Sequence, residues 1–278
     1  MLFRMIKAEF KSDFVGAIIG MLAKPFMKRI YEKSELAFSL AWIFIYVIAM
    51  SLADYFSTCI GIEKVITTPI VLFLAIFLWL WIKKAGLSSK YGLIQSAFPP
   101  KIYLYFIPLL VTVSVNFWGG VRLQYTALET VLYILSMLGV GVVEEIIFRG
   151  FLFKVLSKEN ITVAIIVSSL TFGFGHIINL LSGAELLSTF LQIGYATAAG
   201  FLFTIIFYKS GSLLPCIITH SVMNATSVFA CDTDLAMEII TAIALIVVNL
   251  AYALWIIKAE KDCNENSKHT EQSHDKKR

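Results

Sequence analysis

The chain has 278 residues, of which 58% are hydrophobic and only 15% charged, with a mean hydropathy of +0.80 and a formal net charge of +4. This composition is far more apolar than that of an ordinary soluble domain, so it excludes a soluble globular protein, and we expect no nucleic-acid partner. The four cysteines show no Cys-x-x-Cys spacing, so neither a disulfide framework nor a zinc knuckle is indicated.

Residues 1–33 mix lysines and arginines with phenylalanines and isoleucines, which is the pattern of a basic amphipathic segment at a membrane surface. They lack the uninterrupted apolar core and cleavage site of a signal peptide, so we expect them to stay attached as a cytoplasmic N-terminal segment. A transmembrane helical domain should follow over residues 34–257. Residues 258–278 are polar and charged, which predicts a disordered cytoplasmic tail.

Apolar blocks recur at close to the roughly 20 residues that a helix needs to cross a ~30 Å hydrocarbon core. They predict an all-α, multi-pass protein of the cell membrane with about eight spans: 36–56, 65–82, 103–121, 127–148, 161–181, 185–208, 212–231 and 235–257. Lysines and arginines concentrate in alternate loops and in both terminal segments, which predicts that the N-terminus and the C-terminus are both cytoplasmic.

Two glutamates and an arginine lie within the apolar fourth span. A charged side chain at bilayer depth costs roughly 2.5–3.5 kcal/mol on insertion scales, so such residues usually mark function. Glu145 and Arg149 are four residues apart, which predicts an ion pair on one helix face. Adjacent helical residues point about 100° apart and cannot both aim at one atom, so the two glutamates should have different roles, and Glu144 is left as a general base or acid. Alternatively, Glu144 only completes a buried salt-bridge cluster.

The fifth span contains His176, which shares a helix face with Phe172 four residues earlier. Gly173 and Gly175 should let a neighbouring helix or a substrate backbone come close. The fourth and fifth spans run antiparallel through a short loop, so Glu144 and His176 are expected at similar depths and able to meet. The alternative interpretation is that His176 is an ordinary packing residue.

The seventh span places His220 and Asn224 four residues apart, on one helix face. An imidazole and a carboxamide in this arrangement are donors that can stabilise an oxyanion. In the alternative interpretation they only form hydrogen bonds between helices, as polar residues in membranes often do.

Together these residues indicate hydrolysis of an amide by activated water. In one version Glu144 and His176 deprotonate the water. His220 and Asn224 then hold the oxyanion, and no metal takes part. In the other version, Glu144, His176 and His220 bind zinc, which lowers the pKa of a bound water. Other intramembrane protease types are not indicated, because the sequence lacks His-Glu-x-x-His, Gly-x-Ser-Gly and a pair of mid-span aspartates.

Three motifs resemble those of the CPBP family, the CAAX-prenyl endopeptidases of type II and bacteriocin-processing proteins that are also called Abi. They are Glu144-Glu145-x-x-x-Arg149, Phe172-x-x-x-His176 and His220-x-x-x-Asn224. The resemblance extends over about residues 140–226, within an expected protease core at 127–231. It implies an all-helical intramembrane endopeptidase whose catalytic cavity is open to the cytosolic side.

By position, the resemblance gives Glu144 and His176 the water-activating role and His220 and Asn224 the oxyanion role. It gives supporting roles to Glu145, Arg149 and Phe172. It leaves the metal question open, because the family was first taken for metalloproteases and later regarded as glutamate-dependent. We therefore expect no cofactor unless zinc is bound.

The expected activity is that of a hydrolase acting on membrane-associated peptides or lipidated protein tails, prenylated CAAX sequences among them. Its other partners would be membrane lipids. One alternative is a non-catalytic membrane protein that binds a partner or gives immunity to a bacteriocin. A proton-coupled transporter that uses Glu144 and the histidines as a relay is disfavoured, because the sequence has no convincing internal repeat.

Overall fold

A computed structural model describes residues 24–94 and 107–275 of the chain. Within these ranges all regular secondary structure is helical, apart from one isolated bridge between Val121 and Ala230. The helices are α1 (Lys24–Lys33), α2 (Glu35–Ile60), α3 (Thr67–Lys84), α4 (Ile107–Ser114), α5 (Ala127–Glu145), α6 (Ile161–Phe174), α7 (Leu186–Ser210), α8 (Leu214–Thr226) and α9 (Leu235–Asp275). The predicted all-α class is confirmed.

Several helices continue past these limits in a different helical form. Three-residue-per-turn segments extend α4 over Val115–Phe117, α6 over Gly175–Ser182 and α8 over Ser227–Phe229. Helix α5 continues as a π-helix over Ile146–Phe153 and ends with one α turn, Lys154–Leu156. The π-helix begins directly after the two glutamates, and such segments are often found at functional sites.

Six helices of the described chain are long and apolar enough to cross a membrane, which makes the protein a multi-pass membrane protein. They are Glu35–Ile60, Thr67–Lys84, Ala127–Leu156, Ile161–Leu181, Leu186–Ser210 and Leu235–Lys258. The predicted count of eight is not confirmed, because α4 and α8 are too short to qualify. Part of the predicted span 103–121 also lies outside the described residues.

Alternate loops place the ends of these helices at two ends of the bundle. The basic end consists of residues 24–34, 83–94, 154–160 and 209–213. Its loops are tied together by Glu35, whose carboxylate pairs with Lys90 at 2.7 Å and Lys158 at 2.9 Å. Burial would lower the pKa of Lys90, but its bonds to Glu35 and Tyr31 raise the pKa above the ordinary value. The Lys90 amine is therefore charged at neutral pH.

The acidic end consists of residues 61–66, 117–126, 182–185 and 230–234. Backbone hydrogen bonds join its loops, as in the 2.9 Å bond from the Arg122 amide to the Phe229 carbonyl. Helix α5 starts here with a capping box in which Thr126 and Glu129 exchange hydrogen bonds, so its N-terminus is fixed by local sequence.

Aromatic side chains fill the bundle towards the basic end. Phe151 of the π-helix contacts Phe38, Trp81 and Tyr91 with ring-centroid distances of 5.0, 6.2 and 4.9 Å. The whole π-helix is buried. One of its backbone carbonyls, that of Phe148, accepts a 2.9 Å hydrogen bond from the Ser168 hydroxyl. This dense layer fills the bundle between the two glutamates and the basic end.

The structure describes most of the predicted C-terminal tail and part of the predicted N-terminal segment. Of the amphipathic segment predicted over residues 1–33, the structure describes α1, and the rest lies outside the described residues. Helix α9 continues to Asp275, whereas the sequence predicts a disordered tail from residue 258. The apolar, membrane-spanning part of α9 ends at Lys258, close to the predicted limit at 257.

Candidate functional site

Glu145 and Arg149 form the predicted ion pair. Arg149 Nη1 donates to Glu145 Oε1 at 2.9 Å, and both side chains are fully buried. The guanidinium also lies over the ring of Phe172, 4.1 Å from its centroid, where a desolvated cation is attracted to the aromatic face. Removing either partner would leave an uncompensated charge in the core, so the pair holds the carboxylate of Glu145 in one position.

His220 of α8 lies between the two glutamates. Its Nδ1 is 2.8 Å from Glu145 Oε1, and its Nε2 is 3.6 Å from Glu144 Oε2. The two glutamates therefore face different atoms of one side chain, and their different roles stay a prediction. The rotation of about 100° between adjacent residues directs the two carboxylates to opposite nitrogens of one imidazole.

A glycine contact brings α8 close enough for this arrangement. A Cβ atom on Gly141 would lie 2.7 Å from both the Cα and the backbone nitrogen of Ser221, so α5 and α8 meet backbone to backbone there. The Ser221 hydroxyl donates across the same contact to the Leu138 carbonyl at 3.1 Å. Small residues allow this kind of close approach between membrane helices. His220 precedes Ser221, so the contact sets its distance from the glutamates.

Tyr46 of α2 completes the environment of Glu144. Its hydroxyl donates a 2.7 Å hydrogen bond to Glu144 Oε1, and the tyrosine is buried. Sequence reasoning missed this residue, because a tyrosine in an apolar span has no pattern that separates it from a packing residue. The three motifs also gave no pointer to it, because Tyr46 lies far from them in the sequence.

The site opens into a cavity of about 580 Å³. Glu144, His176 and Asn224 all line its wall, together with Tyr46. Only 13% of the Glu144 side chain is exposed, so its carboxylate is largely shielded but still reaches the cavity. The structure thus brings three of the four predicted catalytic residues to one surface.

His220, the fourth, is placed differently. It is 3% exposed and lines a small adjoining cavity of about 60 Å³, which Asn224 and His176 also line. Its Nδ1 lies 2.8 Å from Glu145 and its Nε2 faces Glu144, so both ring nitrogens are directed at carboxylates. The oxyanion role that the resemblance implies for His220 stays a prediction.

The two glycines of α6 have different surroundings. A Cβ on Gly173 would lie 2.9 Å from both the Ile193 carbonyl oxygen and the Thr197 amide nitrogen, so α7 packs directly against α6 as predicted. A Cβ on Gly175 would have no heavy atom within 4 Å, and this glycine lines the cavity. One glycine therefore serves helix packing, and the other leaves space beside His176.

The cavity extends from the glutamates to the acidic end. Its lining includes Asp54, Lys64 and Thr233, which lie at or next to the acidic-end loops, and the buried ring of Phe148 lies at its other end. The sequence predicts that the basic end is cytoplasmic, while the resemblance implies a cavity open to the cytosol. These two expectations cannot both hold.

The predicted zinc set is not assembled in this arrangement. Within residues 24–94 and 107–275, no three His, Cys, Asp or Glu side chains converge in a way that could hold a metal ion. Glu144 Oε2 and His220 Nε2 lie 3.6 Å apart, but no third side chain completes a metal-binding set with them in these ranges. No step is therefore assigned to a metal.

Comparison with known proteins finds one family that matches part of the chain. The family described as type II CAAX prenyl endopeptidase, Rce1-like, matches residues 126–226. No curated protein and no solved structure matches the chain. The matched range contains all the predicted site residues, namely Glu144, Glu145, Arg149, Phe172, His176, His220 and Asn224. Residues 126–226 are therefore similar to the type II CAAX prenyl endopeptidases, which supports the resemblance of the three motifs to the CPBP family.

Proposed function

We propose that this protein is an intramembrane endopeptidase in which Glu144 activates water for attack on a peptide carbonyl. The main support is the position of the Glu144 carboxylate, which lines a 580 Å³ cavity while Tyr46 donates to its Oε1 and His220 Nε2 lies 3.6 Å from its Oε2. A carboxylate that is oriented, partly desolvated and still reachable from a cavity meets the geometric requirement for a general base.

The reaction can be written with the residues present. Glu144 takes one proton from a water in the cavity, and the water oxygen bonds to the carbonyl carbon to give a tetrahedral oxyanion. The carbon–nitrogen bond then breaks as the oxyanion collapses. The leaving nitrogen receives the proton held by Glu144, so the products are a carboxylic acid and an amine.

Asn224 and His176 are the groups best placed to meet the oxyanion. Both line the same cavity wall as Glu144, and a carboxamide N–H or an imidazole N–H can donate to a developing negative charge. Asn224 thus has the oxyanion-stabilising role that the resemblance implies, and His176 shares this role. His176 also remains available for proton transfer beside Glu144.

His220, Glu145 and Arg149 act as positioning residues for Glu144. Arg149 is ion-paired with Glu145, whose Oε1 lies 2.8 Å from His220 Nδ1. The other nitrogen, Nε2, is thereby directed at Glu144. Chains of this kind fix the tautomer and orientation of the histidine, as a carboxylate does in hydrolytic triads.

The proposed substrates are membrane-associated peptides or lipidated protein tails, with CAAX-type sequences the class that the family match favours. We further propose that both termini are cytoplasmic, because the lysines and arginines of the described chain concentrate at the basic end.

The test is cleavage of prenylated and unprenylated CAAX peptides by purified protein in detergent, followed by mass spectrometry. Glu144→Gln keeps the shape of the side chain but cannot accept a proton, so cleavage should fall by at least about 10²-fold. The matched control is Glu159→Gln in an exposed loop of the basic end, which should cleave like the wild type. Glu144→Gln that retains wild-type activity would refute the mechanism.

The same experiment separates the non-catalytic alternative. A protein that only binds a partner or gives immunity should show no cleavage at any peptide and keep its cellular effect in Glu144→Gln and His176→Ala. An endopeptidase should lose both the cleavage and the effect in Glu144→Gln.

A further inference from the structure

We propose that Gln192 of α7 binds the main chain of the peptide substrate, by donating to the carbonyl oxygen two residues away from the carbonyl that is attacked. Asn179 orients the Gln192 side chain for this contact. The inference rests on the proposed function, because it adds a substrate-binding residue to that reaction. Neither residue belongs to the three sequence motifs.

A change of helical form brings Asn179 onto the same face as His176. Helix α6 becomes a three-residue-per-turn helix at Gly175, and in such a helix side chains three positions apart are eclipsed. Asn179 therefore lies along the helix axis from His176, about 6 Å further at about 2.0 Å per residue. In a continued α-helix the two side chains would point about 60° apart. As it is, both line the wall of the large cavity.

Gln192 meets Asn179 from the neighbouring helix α7. Asn179 Nδ2 donates to Gln192 Oε1 at 2.8 Å, and both side chains are partly buried. A carboxamide has one oxygen acceptor and two N–H donors. With its oxygen bound to Asn179, Gln192 directs Nε2 away from α6, and within the described part of the chain Nε2 donates to no other group. Its two N–H donors are therefore unused.

Gln192 is placed where the two cavities adjoin. It lines the large cavity together with Glu144 and the small cavity together with His220. His176 and Asn224 also line both cavities. A peptide bound beside these proposed oxyanion donors would therefore lie within reach of the unused donors of Gln192.

The other carboxamides of the large cavity have different tasks. Asn116 Nδ2 donates to the Met223 carbonyl and, at 2.9 Å, to the Thr226 hydroxyl, so both of its protons are used. Asn224 is assigned to the oxyanion. Among the residues described, Gln192 is thus the carboxamide of this wall that keeps two donors and has no assigned role.

The chemistry and the spacing of these groups suit a peptide main chain. A peptide in a cavity within a membrane must find partners for its N–H and C=O groups, since an unpaired one is costly there. In an extended peptide, alternate carbonyls point the same way and lie about 6.6 Å apart. This distance is close to the ~6 Å between the levels of His176 and Asn179. With His176 beside the attacked carbonyl, Gln192 lies beside the carbonyl two residues away.

The test measures binding of a fluorescein-labelled, prenylated CAAX peptide by fluorescence anisotropy. The full chain is purified in detergent and carries Glu144→Gln, so that the peptide stays intact and no peptidase activity is needed. Gln192→Leu removes the amide from a side chain of similar size and should raise Kd by about 2- to 10-fold, the range for loss of one hydrogen bond. Gln192→Glu still accepts from Asn179 but places a carboxylate oxygen against the peptide carbonyl, so Kd should rise further.

Two variants of Asn179 test the orientation of the amide. Asn179→Asp offers only acceptors, so it should attract Nε2 of Gln192 and turn Oε1 towards the peptide. Its Kd should therefore rise at least as much as that of Gln192→Leu. Asn179→Ala leaves Gln192 able to donate and should have a smaller effect.

Ser188→Ala is the matched control for loosening of α7. It removes the 3.0 Å hydrogen bond from Ser188 to Glu238 of α9, one turn before Gln192, and Ser188 lines neither cavity. Its Kd should equal that of the Glu144→Gln background.

A second measurement identifies the group that Gln192 contacts. Peptides with a thioamide at one position at a time each carry one weakened acceptor. One position should lower the affinity when Gln192 is present and have no effect in Gln192→Leu. This position should lie two residues from the bond that the wild-type protein cleaves.

The inference would be overturned by an unchanged Kd in Gln192→Leu, by an equal loss in Ser188→Ala, or by a thioamide profile that does not depend on Gln192. A peptide that does not bind at all would also overturn it. If binding depends on Gln192 as expected but no peptide is cleaved, the main-chain contact is retained and the proposed reaction is refuted.

Discussion

The contact between Gly141 and Ser221 offers a quantitative test of how closely the site depends on helix packing. A Cβ added at Gly141 would lie 2.7 Å from the Cα of Ser221, whereas real Cβ contacts are rarely shorter than 3.4 Å. Gly141→Ala should therefore push α8 away from α5 by about 0.7 Å. His220 is adjacent to Ser221 and would move with it.

The displacement acts directly on the hydrogen bond between His220 and Glu145. It would lengthen the 2.8 Å contact between His220 Nδ1 and Glu145 Oε1 to about 3.5 Å, which is beyond hydrogen-bonding distance. Overpacking of this kind costs about 1–3 kcal/mol of stability. Misplacement of a supporting group by about 1 Å can cost about 10²-fold in rate, so kcat should fall by about 10- to 100-fold.

The assays are thermal unfolding in detergent and peptide cleavage under saturating substrate. Gly194→Ala is the matched control, because its added Cβ would meet only the side-chain tip of Ile246 at 3.4 Å, and it lies outside the site. Both readouts should be close to wild type for this variant. If Gly141→Ala matched Gly194→Ala in melting temperature and in kcat, the backbone contact would not be what positions His220.

Two further predictions concern the partners of the glutamates. Tyr46→Phe removes the 2.7 Å bond to Glu144, and since hydrogen bonds to charged groups contribute about 1.5–3 kcal/mol, kcat/KM should fall by about 10- to 100-fold. Tyr55→Phe, on an exposed face of the same helix, is its control, and equal activities would exclude a role for Tyr46. Arg149→Met leaves the buried carboxylate of Glu145 without its cation and should destabilise the protein by about 3–5 kcal/mol in chemical unfolding. Adding Glu145→Gln to Arg149→Met should restore part of this stability, and a strictly additive double mutant would show that the two residues are not coupled.

The sequence was informative about which residues belong to the site, because their chemistry conflicts with their surroundings. Charged and imidazole groups within apolar spans need a partner or a cavity, so Glu144, Glu145, Arg149, His176 and His220 could be selected without any coordinates. The ion pair of Glu145 with Arg149 followed from their spacing on one helix. The all-α, multi-pass class followed from composition alone.

The number of spans was harder to predict, because hydropathy measures apolar length and not helix length. Residues 214–229 are apolar enough to resemble a span, yet α8 starts at Leu214 and turns into a tighter helix after Thr226. Residues 107–117 likewise form a short helix that changes form at Val115. Six spans therefore qualify where the sequence predicts eight.

Contacts between helices could be decided only by the tertiary structure. Which ring nitrogen of His220 faces which glutamate depends on how α8 is rotated against α5 at Gly141. The bond from Tyr46 to Glu144 joins residues 98 positions apart, and no sequence period encodes such a pairing. The direction of the cavity depends on where the packed π-helix closes the bundle. The sequence by itself determined the chemical groups of the site, because each is costly in lipid, whereas packing decided their partners and the cavity that they line.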